Sequence, residues 1–199
     1  MENMSADIKI VEEAKKPMSM NPKKFALWLF MATVMMLFAA WTSAYLVKRG
    51  EPGWSSFDLP RQFWINTGLI LLSSVTLFWA QLAAKKNELE KVKVAVTLTT
   101  VLGISFLIGQ WLAWGEMVAI NYYFTGMGGN TSSSFIYVLT GVHGLHLISG
   151  VIFLLVVLVA TYRYKVHSKN MAQLEMCATY WHFLGGLWLY LFVFLLLNR

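Results

Sequence analysis

Residues 134–162 read SFIYVLTGVHGLHLISGVIFLLVVLVATY, a run without one Asp, Glu, Lys or Arg. A helix that crosses a bilayer needs about 20 mainly apolar residues, since hydrocarbon offers backbone groups no partner outside the helix. This stretch is long enough to cross. Four more segments of the same kind flank it: 25–47, 63–84, 94–119 and 173–197. The pattern predicts an all-α integral membrane bundle of five transmembrane helices.

The connections between the segments are short. Residues 48–62 carry Gly50, Pro52, Gly53 and Pro60, which punctuate a loop. Residues 85–93, KKNELEKVK, read as a solvated charged turn, and GMGGNTSSS lies between the third and fourth segments. Residues 163–172 read RYKVHSKNMA. Short connections make consecutive helices antiparallel neighbours. Two regions follow: a polar, poorly ordered tail over 1–24 without a cleavable signal, and one five-helix membrane domain over 25–199.

Composition agrees. The chain is 57% hydrophobic and 13% charged, against about 45–50% and about 25% in soluble domains. The net charge of +6 does not point to nucleic acid, because the basic residues sit in short segments between apolar runs. Twelve of the sixteen Lys and Arg fall on one side: in the N-terminal tail, in 85–93 and in 163–169. Lys48, Arg49, Arg61 and Arg199 fall on the other. The positive-inside rule then predicts a cytoplasmic (or matrix) N-terminus and an outer C-terminus. Trp54, Trp64 and Tyr122 suit an interfacial belt. Cys177, the lone cysteine, excludes an internal disulfide and any Cys-x-x-Cys site.

Polar groups inside spanning helices are costly and are therefore functional candidates. His143 and His146, three residues apart, share one face of the fourth helix. His182 lies about nine residues into the fifth helix, so all three rings approach mid-depth. A metal or haem site needs further His, Cys, Met or carboxylate groups at ligand spacing. Without them, hydrogen bonding to neighbouring helices or to lipid is the better reading. Glu175 opens the fifth helix, where the helix dipole favours a carboxylate; facing inward it would pair with a His or a lipid headgroup. Gln110 is expected to bond across helices. Asn66 and Gln81 read as interfacial. No file of acids and no central Lys or Arg marks an ion pathway.

Four segments resemble subunit III of the haem-copper oxidases. The first helix, WLFMATVMMLFAAWTSAYLVKR, is similar to that family's first core helix. The fourth carries Thr-Gly-x-His-Gly-x-His over 140–146, and the fifth, EMCATYWHFLGGLWLYLF, carries Tyr180, Trp181, His182 and Trp188. GISFLIGQW in the third is a looser match. Three family carboxylate positions differ: they hold Val34, Ala113 and Gly185.

The resemblance implies a short five-helix bacterial form in the cytoplasmic membrane. It implies a non-catalytic subunit of a proton-pumping terminal oxidase that reduces oxygen to water. Such a subunit carries no haem or copper of its own; these belong to partner subunits. The implied partners are the catalytic subunit I and subunit II, with subunit IV or a larger supercomplex beyond them. It further implies phospholipid in a cleft between the first two helices and the rest, which supports stability and proton uptake. His143, His146, Glu175, Trp181 and His182 are the candidate lipid-binding residues. Two alternatives remain open: a subunit associated with nitric oxide reductase, and an independent transporter.

Overall fold

The computed structural model describes residues 21–51, 54, 59–124, 130–163 and 171–198. Most of the tail expected over 1–24 lies outside these residues. Five helices follow in order: α1 (Pro22–Arg49), α2 (Arg61–Lys85), α3 (Leu89–Ala119), α4 (Thr131–Tyr162) and α5 (Ala172–Leu197). Each is long and apolar enough to cross a membrane. The chain is thus a multi-pass membrane protein of all-α class.

The boundaries follow local chemistry. Asn21 Oδ1 accepts a hydrogen bond from Lys23 N, and Pro22 opens α1. That is the first-turn position where a missing N–H costs nothing. The charged stretch 85–93 is not a turn as expected. It condenses to Lys86–Glu88, with Asn87 at φ 58°, and α3 begins five residues early. Ion pairs one turn apart, Lys91–Glu88 at 2.9 Å and Lys93–Glu90 at 2.7 Å, suit a helical start. Hydroxyls within the helices return to their own backbone. Thr67, Thr99, Thr100, Thr140 and Thr161 each donate to the carbonyl four residues earlier, at 2.7–2.8 Å. This satisfies them in a medium without water.

Helices α2, α3, α4 and α5 close a ring in which each packs on the next. The α2–α3 contact is the most extensive, and Thr76 and Thr99 hydrogen-bond across it at 2.8 Å. Helix α1 stands outside the ring, against α4 and α5, and makes no close backbone approach to α2. Its buried residues Met31, Val34, Phe38, Thr42 and Tyr45 recur at three- and four-residue steps and form one stripe. The remaining face, with Leu29 and Met36, is exposed. A cleft setting α1 and α2 apart from the rest is therefore corrected. Close packing joins α2 to α3 and α5, and α1 alone is set apart.

Trp181 keys the ring together. It is fully buried, and its indole N–H donates to Ser73 Oγ on α2 at 3.0 Å. A Cβ added to Gly103 on α3 would lie 2.6 Å from its Cη2. A Cβ added to Gly150 on α4 would lie 3.3 Å from its Cε3. Two glycines on separate helices thus cut the slot that this indole from α5 fills. About two turns further along, Trp188 stacks on Phe63 with centroids 5.7 Å apart and donates to Thr67 Oγ1 at 3.1 Å.

Asn66 departs from its interfacial reading. It is fully buried on the stripe of α2 that faces α3, and its Nδ2 donates to Gln110 Oε1 at 3.4 Å. The cross-helix bond expected of Gln110 is this one.

A candidate lipid groove

The sequence-derived candidates do not form one cluster. His143 has no exposed surface and sits among three rings: Phe38 of α1, Phe106 of α3 and Trp188 of α5. The Trp188 centroid is 5.3 Å away, and neither imidazole nitrogen has a hydrogen-bond partner. The ring is therefore held by packing. His146 is half-buried at the α1–α4 seam; its Nδ1 lies 2.7 Å from the Val142 carbonyl, and its ring meets Phe30 and Phe38. Beside it, the Tyr180 and Ser149 hydroxyls lie 2.7 Å apart. Trp181 occupies its interior slot. Among the described residues, no three His, Cys, Asp or Glu side chains converge as a metal site would need.

Glu175 has a different setting. Its Oε2 accepts from Lys24 Nζ at 2.9 Å, joining the first turn of α5 to that of α1. Both side chains keep a little over two-fifths of their exposure, so the pair contributes little to stability and stays open to other ligands. It lines a cavity of about 320 Å³ at the basic end of the bundle, shared with Trp28, Gln81, Lys85 and Thr179. Two ammonium groups and one carboxylate leave this cavity one positive charge in excess.

A second, apolar groove of about 400 Å³ runs between α1 and α5, lined by Met35, Phe38, Ala39, Phe183, Leu187 and Tyr190. Thr42 and Tyr190 close its far end, with their hydroxyls 3.0 Å apart. Met35 lies seven residues beyond Trp28, or about 10 Å at the helical rise. A charged pocket and an oily one thus lie in succession along the same two helices, α1 and α5. On α5, Glu175, Thr179, His182 and Gly186 recur at four-, three- and four-residue steps, which puts His182 on the stripe between the two spaces. Helices α1 and α5 run parallel: Lys24 meets Glu175 at one end, and Tyr45 OH donates to the Asn198 carbonyl at the other.

Val34, Ala113 and Gly185, at the positions where the family pattern carries acids, are all buried here. Ionised carboxylates at these depths would be costly. Apolar residues remove that cost together with any proton-transfer role at those positions. Sequence reasoning missed Lys24, Lys85 and Thr179 as site residues. For the two lysines the signal was the placement of basic residues at helix ends, which topology had already absorbed; Thr179 carried none.

Comparison with known proteins bears on the whole chain. The family model described as cytochrome c oxidase subunit III matches residues 13–198. The cytochrome c oxidase subunit 3 of Oncorhynchus clarkii is 37% identical over 137 residues, covering 69% of this chain and 49% of that protein. Those of Petromyzon marinus and Squalus acanthias are similar at 36% and 37%. The chain spans about half the length of the curated relatives it matches. With a match that begins in the N-terminal tail and runs to the end of α5, the chain belongs to the cytochrome c oxidase subunit III family.

Proposed function

We propose that this chain is a non-catalytic subunit of a terminal respiratory oxidase that reduces oxygen to water and translocates protons. Haem and copper reside in partner subunits I and II. Family membership is the observation that carries this reading. The proposed location is a bacterial cytoplasmic membrane, crossed by the five long apolar helices of the described residues. The orientation, N-terminus inside, follows from the twelve-to-four division of basic residues.

Within that role the α1–α5 seam holds a phospholipid. Lys24 and Lys85 receive its phosphate, and the groove from Met35 to Tyr190 receives an acyl chain. A bound lipid fills space between α1 and the ring that would otherwise be void, and so stabilises the outlying helix. Glu175 and His182 act on this seam; His143, His146 and Trp181 act by packing. The chain sustains proton uptake by holding the catalytic subunit's surroundings in place, and no carboxylate file of its own carries protons.

The test is lipid content and lifetime of the purified oxidase complex. Lys24→Gln with Lys85→Gln is expected to lower tightly bound phospholipid, read by mass spectrometry, and to shorten activity during sustained turnover. The initial rate should be nearly unchanged. Unchanged lipid content in the double variant refutes the seam as the lipid site.

A further inference from the structure

Helix α1 is fastened unequally along its length. The half from 38 to 49 is keyed into the bundle. Phe38 is buried against the rings of His143 and His146. Tyr45 has no exposed surface and packs edge-on against Trp54, Phe135 and Phe194, with centroids 4.7–5.8 Å apart. Three polar ties hold the same half. Thr42 and Tyr190 hydroxyls lie 3.0 Å apart, Tyr45 OH donates to the Asn198 carbonyl at 3.1 Å, and Arg49 Nη1 donates to Asn198 Oδ1 at 2.8 Å.

The half that begins at Pro22 is held far less. No residue from 22 to 30 is buried, and the buried stripe starts only at Met31. Phe30 touches the rings of His146 and Tyr180 but stays 45% exposed. The polar tie of this half to α5 is the half-exposed Lys24–Glu175 pair. Such a pair holds weakly, and salt weakens it further. The facing walls of the charged cavity are firm by contrast. Over the same depth α5 buries Leu174, Cys177, Ala178 and Trp181, and α2 buries Ala80, Ala83 and Ala84. The cavity of about 320 Å³ thus has two fixed walls and one loose one.

The sequence of α1 decides how a loose half can move. It holds no Gly and, after Pro22, no Pro, the residues at which helices kink. The helix therefore tilts as a rod about its fastened half. Lys24 lies about 27 Å from Thr42 along the axis, so a tilt of about 10° carries it about 5 Å. Segments with few buried contacts occupy the low-stability end of a fold and open first.

We infer that α1 is a gate on the charged cavity: its N-terminal half swings from α5 about the fastened half, with Lys24–Glu175 as the latch. An arriving phosphate competes with the Glu175 carboxylate for the Lys24 ammonium, so loading and unlatching are one exchange. The identity of the guest rests on the phospholipid reading of this seam; the motion does not.

Spin-label distances, read by double electron–electron resonance, test the motion. The full chain is purified with the subunits that accompany it and placed in phospholipid nanodiscs. Helix α3, across the ring from α1, serves as the common reference. Labels at Lys23→Cys and Lys91→Cys report the loose end, and labels at Val47→Cys and Glu116→Cys report the fastened end, each in a Cys177→Ala background. All four labelled positions are exposed. The loose-end pair is expected to show a second component about 5 Å longer, and the fastened-end pair a single narrow peak. Glu175→Gln should raise the longer component about two- to fivefold, as for one exposed ion pair, and raised salt should act in the same direction. A single narrow peak at the loose end, a longer component that Glu175→Gln leaves unchanged, or equal displacement at both ends each overturn the inference. Bound phospholipid is counted on the same samples. If α1 moves as expected while Lys24→Gln with Lys85→Gln leaves lipid content unchanged, the lipid site fails and the gate stands. If that lipid is lost but α1 is static, the gate fails and the lipid site stands.

Discussion

Replacing Gly103 by Ala tests the slot that organises the ring. The added methyl would lie 2.6 Å from Trp181 Cη2 and 3.1 Å from Cζ2. Ordinary carbon contacts lie at about 3.5–4.0 Å, so the shortfall is close to 1 Å. The indole has little room to retreat, because Gly150 lies close to its Cε3 and Cζ3 and Ser73 holds its N–H at 3.0 Å. Helix α3 must therefore move away from α5, or the indole must leave its rotamer. Overpacking of this kind costs about 1–3 kcal/mol. Gly68→Ala provides the reference, since nothing lies within 4 Å of its added Cβ. Both variants share the helix-propensity gain of up to about 1 kcal/mol, which cancels in their difference. The assay is denaturation of the purified chain in mixed micelles by SDS titration. Gly103→Ala is expected to shift the folding equilibrium by about 5- to 150-fold relative to Gly68→Ala. Adding Trp181→Phe, which removes the outer ring atoms, should recover part of that loss in a double-mutant cycle. Equal stability of the two alanine variants, or no coupling to Trp181, refutes the slot.

Other expectations follow from the same structure. Gly109→Ala should destabilise the chain by about 1–3 kcal/mol through its collision with the Gln62–Asn66 amides, whereas Gly115→Ala, with open space at its Cβ, should not; the SDS titration distinguishes them. Val34→Glu restores a family acid at a position only 2% exposed, and is expected to cost about 3 kcal/mol in the same assay. Glu175→Gln breaks a half-exposed ion pair, so stability should change by less than about 1 kcal/mol, while bound phospholipid measured by mass spectrometry should change if the seam is its site. Trp188→Phe loses the bond to Thr67 and should cost about 1–2 kcal/mol, with a change in tryptophan fluorescence.

The five spans were legible because each is a long apolar run, and hydrocarbon thickness leaves such runs one destination. The start of α3 was misread because charge was taken to mean solvent, although pairs such as Lys93–Glu90 stabilise a first helical turn. Asn66 lies five residues into α2, where depth suggests an interface; its face, shared with Phe63, Ile70 and Ser73, decided otherwise. The slot for Trp181 was out of reach, since Gly103 and Gly150 are ordinary small residues until two other helices bring them together. Lys24 and Glu175, separated by 151 positions, became neighbours only because α1 and α5 run parallel. The motif histidines were visible in the sequence, but their partners were not: rings around His143, and a backbone carbonyl beside His146. Sequence pattern thus gives the elements and the family. Pockets depend on which faces meet, and that depends on packing between distant segments.

The proposed role of the chain is that of a haem-free subunit of a terminal oxidase. Affinity purification of the tagged chain from its native membrane in mild detergent tests this most directly, read by optical spectrum and by subunit stoichiometry. The expected result is one copy per haem-copper catalytic subunit, with the haem spectrum lost from this chain once the subunits are separated. Migration alone without a haem-bearing partner, or haem retained on the separated chain, contradicts it.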